Sequence, residues 1–168
     1  MATEGIGISV CGDGSSMSHQ NKNKAVIKPI GIIHTPYKIV KEIPCQGYRS
    51  KEIGEIEIFD EYKEGLTDIE GFSHIILLYL FHKSEHYTLL VKPFLDNRLH
   101  GLFATRAPKR INPIGLSVVK LLERKDNVLK ITEIDMLDGT PLIDIKPYVP
   151  QFDGREDVRV GWLEDKLK

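Results

Sequence analysis

Hydrophobic and polar residues alternate most cleanly in IGEIEIF, residues 53–59. Ile56 and Ile58 fall on one side there, Glu55 and Glu57 on the other. A period of two with one charged face predicts a half-solvated antiparallel strand. Upstream, Ile32 and Ile33 with their Val and Ile neighbours predict another strand, closed by Thr35-Pro36. Pro29 near its start argues for an edge position or a bulge. Residues 73–82, SHIILLYLFH, form a continuous apolar run that suits a buried strand, with a short helix as the alternative. Residues 116–123 and 128–136 flank the turn at Lys125-Asp126-Asn127 and predict a hairpin. LDGTP makes a further turn, with Gly139 available for positive φ and Pro141 opening a strand over 142–145.

No long amphipathic stretch and no internal repeat interrupts this series. Short strands separated by turns predict a mostly-β fold: an antiparallel-rich β-barrel with short helices and long loops. Closure would also protect strand edges. The acidic stretch DEYKEGLTDIEGFS has room for one helical turn before Gly71, and residues 38–52 form a long polar loop. Residues 1–24 read as a flexible tail of Gly, Ser, Asn and Lys, too poor in apolar groups to order by burial. The barrel domain is then residues 25–168.

Composition narrows the function classes. The 168 residues suit one domain, and a net charge of −1 means that any nucleic acid must be met by a local patch. Cys11 and Cys45 cannot make a disulfide framework, which suits a reducing compartment. The run 75–81 is too short to span a bilayer, and the N-terminus lacks an apolar leader core. The expectation is a cytoplasmic protein away from the membrane.

Three stretches carry candidate chemistry. HKSEH places His82, Glu85 and His86 in an inverted zinc-peptidase spacing. That chemistry needs both histidines on one helix face, and the β-favouring run before them and Pro93 after them oppose a helix; no metal is expected. The second stretch is FATRAPKRINPIG. Arg98, Arg106, Lys109, Arg110 and Lys120 lie between Asp96 and Glu123 with no acid among them. Guanidinium forks suit carboxylate or phosphate, and Pro108 and Pro113 reduce the entropy lost on ordering. The third is EIDMLDGTPLIDIKPY, where Asp135, between Ile134 and Met136, should be half-buried. Paired with the basic loop, that carboxylate could recognise a zwitterion.

IGIIHTPY, GFSHIILLYLFH, GLFATRAPKRINPIG and LDGTPLIDIKPY, taken in order, resemble the successive motifs of the TsaA-like (TrmO) family across about residues 30–150. The resemblance implies a single-sheet β-barrel, S-adenosylmethionine as cofactor, and methylation of N6 of threonylcarbamoyladenosine beside the tRNA anticodon. It also implies a homodimer with cofactor pockets near the subunit interface. Carried over motif by motif, it implies cofactor contacts at Gln46, Gly47, Tyr48, His82, Lys83, Arg106, Leu116, Thr132, Glu133, Ile134 and Asp135. Gly139, Pro141, Asp144 and Lys146 would shape the pocket. Arg106 suits the cofactor's carboxylate, Asp135 its ribose hydroxyls, and Leu116 and Ile134 its adenine. Arg98, Lys109 and Arg110 would meet tRNA phosphates, with Lys83 a further candidate, and Tyr37, Tyr48 and Phe103 could stack on a splayed base. No catalytic base is singled out: His34, Tyr48, His82 and Asp135 all stay candidates. The alternatives are a module that binds S-adenosylmethionine but acts on another ligand, and a zinc hydrolase built on His82, Glu85 and His86.

Overall fold

The computed structural model describes residues 26–167, so the tail expected at 1–24 lies outside the described residues. Among the described residues eight strands form: β1 (Gly31–His34), β2 (Gly54–Ile58), β3 (His74–Leu80), β4 (Leu90–Val91), β5 (His100–Gly101), β6 (Ile114–Lys125), β7 (Val128–Thr132) and β8 (Thr140–Pro147). Six of them close an antiparallel barrel in the order β1-β2-β7-β6-β3-β8, and β4 and β5 make a separate two-stranded ribbon. The mostly-β barrel expected from the pattern is therefore the fold. The acidic stretch after β2 makes two short 3-10 turns, Asp60–Leu66 and Ile69–Gly71.

Alternation builds the core. On β2, Ile56 and Ile58 are buried while Glu55 and Glu57 face solvent. Ile33, Ile75, Leu77, Val119, Leu129, Ile131 and Leu142 meet them inside the barrel. β-Branched side chains fill such a half-buried pleated surface well.

Three expectations change. Pro29 lies before β1 and marks no edge, because β1 pairs with both β2 and β8. The strand expected over 128–136 stops at Thr132, since Glu133 turns to the left-handed region at φ 65°. The apolar run around β3 buries only one face; Ile76, Leu78 and Leu80 are half-covered on the other. His82, Glu85 and His86 lie on a non-helical connection, so the helical spacing that a zinc site needs is absent. Among the described residues, no group of three His, Cys, Asp or Glu side chains could hold a metal ion.

Strand register decides where a site can form. His34 lies opposite Glu55, Gly54 opposite Ile131, Leu80 opposite Ile114, and Ile33 opposite Thr140. The ends of β1, β3 and β7 and the starts of β2, β6 and β8 thus share one rim. The motif loops 35–53, 81–113 and 133–139 all leave from it.

Gly115 fits this end of the barrel because a Cβ there would come 2.3 Å from the Tyr79 ring. Gly115→Ala is expected to cost about 1–3 kcal/mol through overpacking. Thermal melting checks this, and an unchanged midpoint would show that the ring moves freely aside.

Candidate functional site

A hydrogen-bond chain climbs from the barrel interior to the rim. Tyr79 and Ser117 both point inward by the parity of their strands. The Tyr79 hydroxyl lies 3.0 Å from Ser117 Oγ, and Ser117 donates to Asp135 Oδ1 at 2.6 Å. A carboxylate only accepts, so Ser117 points its proton at Asp135 and Tyr79 donates to Ser117. Burial first, and then the Asp135 charge, push the Tyr79 hydroxyl up to about 12, so it remains a donor.

The left-handed turn at Glu133 sends the chain across the barrel mouth. Ile134 and Met136 bury themselves as a plug, leaving Asp135 half-buried between them. Gly47, in the 3-10 turn Gly47–Arg49, presses against this crossing. Its backbone N–H is one of the groups that pull the Asp135 pKa down. A Cβ on Gly47 would stand 2.4 Å from the Glu133 carbonyl oxygen and 3.4 Å from Asp135 Cγ. Only glycine allows that approach. Burial raises the Asp135 pKa above its ordinary value, against the opposing pull of Ser117, backbone N–H groups and the Arg106 charge.

Arg106 supplies the facing cation, close enough for its charge to act on both Asp135 and Tyr79. It is exposed and forms no ion pair among the described residues. The buried side chain of Leu102 anchors its loop. Arg110 Nη1 donates to the carbonyls of Thr105 (2.9 Å), Leu102 (3.4 Å) and Ala107 (3.4 Å). Arg110 thus shapes the loop, whereas Arg106 and Lys109 project from it.

The other expected residues distribute around the rim. Ser84 donates to the Pro108 carbonyl at 3.3 Å, tying the loop of His82 and Lys83 to the basic loop. His82 Nδ1 lies 3.4 Å from Thr140 Oγ1; partial burial and then the Lys83 charge lower its pKa. Thr132 donates to the Glu52 carbonyl at 2.9 Å. Gln46 and Tyr48 are exposed, Tyr48 beneath the Arg49 guanidinium at 5.6 Å. Tyr37 is buried and bonded to Ser50 at 2.7 Å, which suits packing better than base stacking. Phe103 is 76% exposed. Arg98 pairs with Asp96 at 3.5 Å on the ribbon side. His34 pairs with Glu57 beside a separate open hollow of about 410 Å³ that also includes Lys38 and Asp138.

Leu116 is not brought to Asp135. It faces out from β6, opposite Leu78, while its neighbour Ser117 faces in. Ser117 and Tyr79 are the site residues that motif reading passed over. Strand parity and the small Gly115 opposite Tyr79 were the available signals.

The Asp135 pKa gives a sign for stability. A carboxyl whose pKa rises on folding costs stability as the carboxylate, and the cost is relieved as pH falls through the raised pKa. Asp135→Asn is therefore expected to keep or raise the melting midpoint at neutral pH, whereas Ser117→Ala lowers it by removing a donor. Melting curves of the two variants check this; a large loss in Asp135→Asn would contradict the buried-charge account.

Residues 32–154 match the family of the tRNA-methyltransferase O N-terminal domain. A probable S-adenosyl-L-methionine-binding protein of Pyrococcus abyssi (strain GE5 / Orsay) is 60% identical over 141 residues, covering 83% of this chain and 77% of that protein. The tRNA (adenine(37)-N6)-methyltransferase of Escherichia coli (strain K12) is 36% identical over 146 residues, covering 80% and 62%. The crystal structure of TrmO from Pseudomonas aeruginosa superposes with a TM-score of 0.69 at 36% identity, covering 87% of this chain. This chain spans 63% of that structure's length.

Proposed function

The chain belongs to the tRNA-methyltransferase O N-terminal-domain family, and on that premise we propose that it transfers a methyl group from S-adenosylmethionine to N6 of a tRNA adenosine. The observation that carries this reading is an exposed Arg106, in no ion pair among the described residues, whose charge reaches a half-buried Asp135 packed against Gly47. The donor set suits an amino acid joined to a nucleoside. Arg106 offers a planar fork to a carboxylate. Asp135 keeps acceptor capacity for ribose hydroxyls beyond its bond to Ser117. At Gly47 any side chain would run into the Glu133 carbonyl, so the close approach to Asp135 needs glycine.

When bound, S-adenosylmethionine supplies an activated methyl whose departure leaves the bonding electron pair on sulfur. This chain's residues would supply position. The Tyr79–Ser117–Asp135 chain fixes the carboxylate, and Arg110 fixes the loop that presents Arg106. Well-oriented placement can supply up to about 7–11 kcal/mol of a barrier. Lys109, exposed on the same loop, suits a tRNA phosphate.

The finer substrate we favour is threonylcarbamoyladenosine in the anticodon loop, whose carbamoyl group makes the N6 proton more acidic. The working form would be a cytoplasmic homodimer. The apolar outer pairs Ile76–Val118, Leu78–Leu116 and Leu80–Ile114 support a second copy on that face. Such a copy would also bring an outward Leu116 to a pocket it does not reach in its own chain.

Calorimetric titration with S-adenosylmethionine tests the reading. Saturable binding near one per chain is expected. Absence of heat at millimolar cofactor would remove it.

A further inference from the structure

The C-terminal segment returns to the loop that carries Arg106. The family match ends at residue 154. Beyond it, the short turn Gly161–Leu163 sets Trp162 against the basic loop. Trp162 Nε1–H donates to the Ala104 carbonyl at 2.8 Å. The indole stacks on the His100 ring, with centroids 4.4 Å apart and planes at 28°. His100 Nε2 meets Asp96 Oδ2 at 3.2 Å, and these two side chains are 13% and 8% exposed. The backbone N–H of Arg98 first, then His100 and the backbone N–H of Asn97, hold the Asp96 carboxyl down to about 2, and the Lys166 charge adds to the effect. Lys166 belongs to the same C-terminal segment as Trp162.

These contacts bracket Arg106. Arg110 grips the carbonyls of Thr105 and Ala107 on either side of it. Trp162 grips the carbonyl just before Thr105. The ribbon of β4 and β5 carries His100 but pairs with no barrel strand, so the barrel ladder does not hold this part of the loop. An exposed arginine on a free loop would lose conformational freedom on binding; a clamped backbone loses less.

We infer that Trp162 is a positioning residue: the C-terminal segment straps the Ala104 carbonyl and, through it, presents Arg106 to the carboxylate of the bound methyl donor. The inference rests on the cofactor reading of Arg106.

Trp162 is the chain's only tryptophan, so it also reports on itself. The full chain, Trp162→Phe and Trp162→Ala are titrated with S-adenosylmethionine by calorimetry, with melting curves and amide hydrogen exchange taken on the same samples. In the full chain, cofactor binding changes the indole emission, saturating at the calorimetric Kd. Trp162→Ala speeds exchange over residues 102–110 and weakens cofactor binding about 5–20-fold, the loss of one hydrogen bond and one ring stack. Its melting midpoint stays near that of the parent. Trp162→Phe keeps the stack, loses the donor and falls between; it carries the test alone if the alanine variant does not fold. Unchanged cofactor affinity in these variants, or an emission blind to saturating cofactor, would overturn the strap. A parent chain that binds no cofactor would instead overturn the reading of Arg106 itself.

Discussion

Arg106→Ala should weaken S-adenosylmethionine binding by about 30–150-fold, equivalent to ~2–3 kcal/mol for a charged hydrogen-bond partner removed from a desolvated carboxylate. The fold should barely notice. Arg106 is exposed and holds no ion pair among the described residues, so the melting midpoint should move little. Arg106→Lys separates charge from shape. An ammonium keeps the attraction but loses the planar fork, so its affinity should fall between parent and alanine variant. Equal affinity in all three would remove Arg106 from the site. A large drop in melting midpoint would show instead that the guanidinium is structural, as Arg110 is.

Gly47→Ala should have the other large effect, with a different signature. The added Cβ would have to enter the space of the Glu133 carbonyl, a backbone atom that cannot rotate away. Either the Gly47–Arg49 turn lifts off or the Glu133–Met136 crossing shifts. Both routes move the Gly47 N–H relative to the Asp135 carboxylate whose pKa it helps to lower. Overpacking of this kind costs about 1–3 kcal/mol, or roughly 2–10 °C of melting midpoint for a chain of this size. A misplacement of ~1 Å at the site can cost about 10²-fold in rate. Arg106→Ala thus reduces affinity while stability stays; Gly47→Ala reduces both. Circular dichroism melts beside single-turnover methyl transfer distinguish them, and a Gly47→Ala variant with parental values in both would contradict the cradle.

Much of this was legible in the residues, for identifiable reasons. Residues 54–58 alternate so strictly that only one register buries Ile56 and Ile58. Asp138-Gly139 announced a turn, and Gly139 takes φ 73° there. A half-buried Asp135 followed from its apolar neighbours. The positive φ at Glu133 was not legible, because glutamate carries no preference for that region and the tertiary crossing imposes it. The outward aim of Leu116 was hidden by motif reading, which places residues along the chain but not on a face. Trp162 lies beyond the motifs that carry the resemblance, and its partners Ala104 and His100 are distant in sequence. Arg110 and Arg106 look alike in the sequence; only the carbonyls that surround Arg110 tell them apart.

The most direct measurement uses methyl-labelled S-adenosylmethionine and two tRNA samples, one bearing threonylcarbamoyladenosine and one lacking it. After incubation with the full chain, the RNA is digested and the labelled nucleoside identified. Label is expected on N6 of the modified adenosine, little on unmodified RNA, and much less with Arg106→Ala at the same sub-saturating cofactor concentration. Label absent from both tRNAs, with the chain saturated by cofactor, would contradict this and leave a protein that holds the methyl donor for some other purpose.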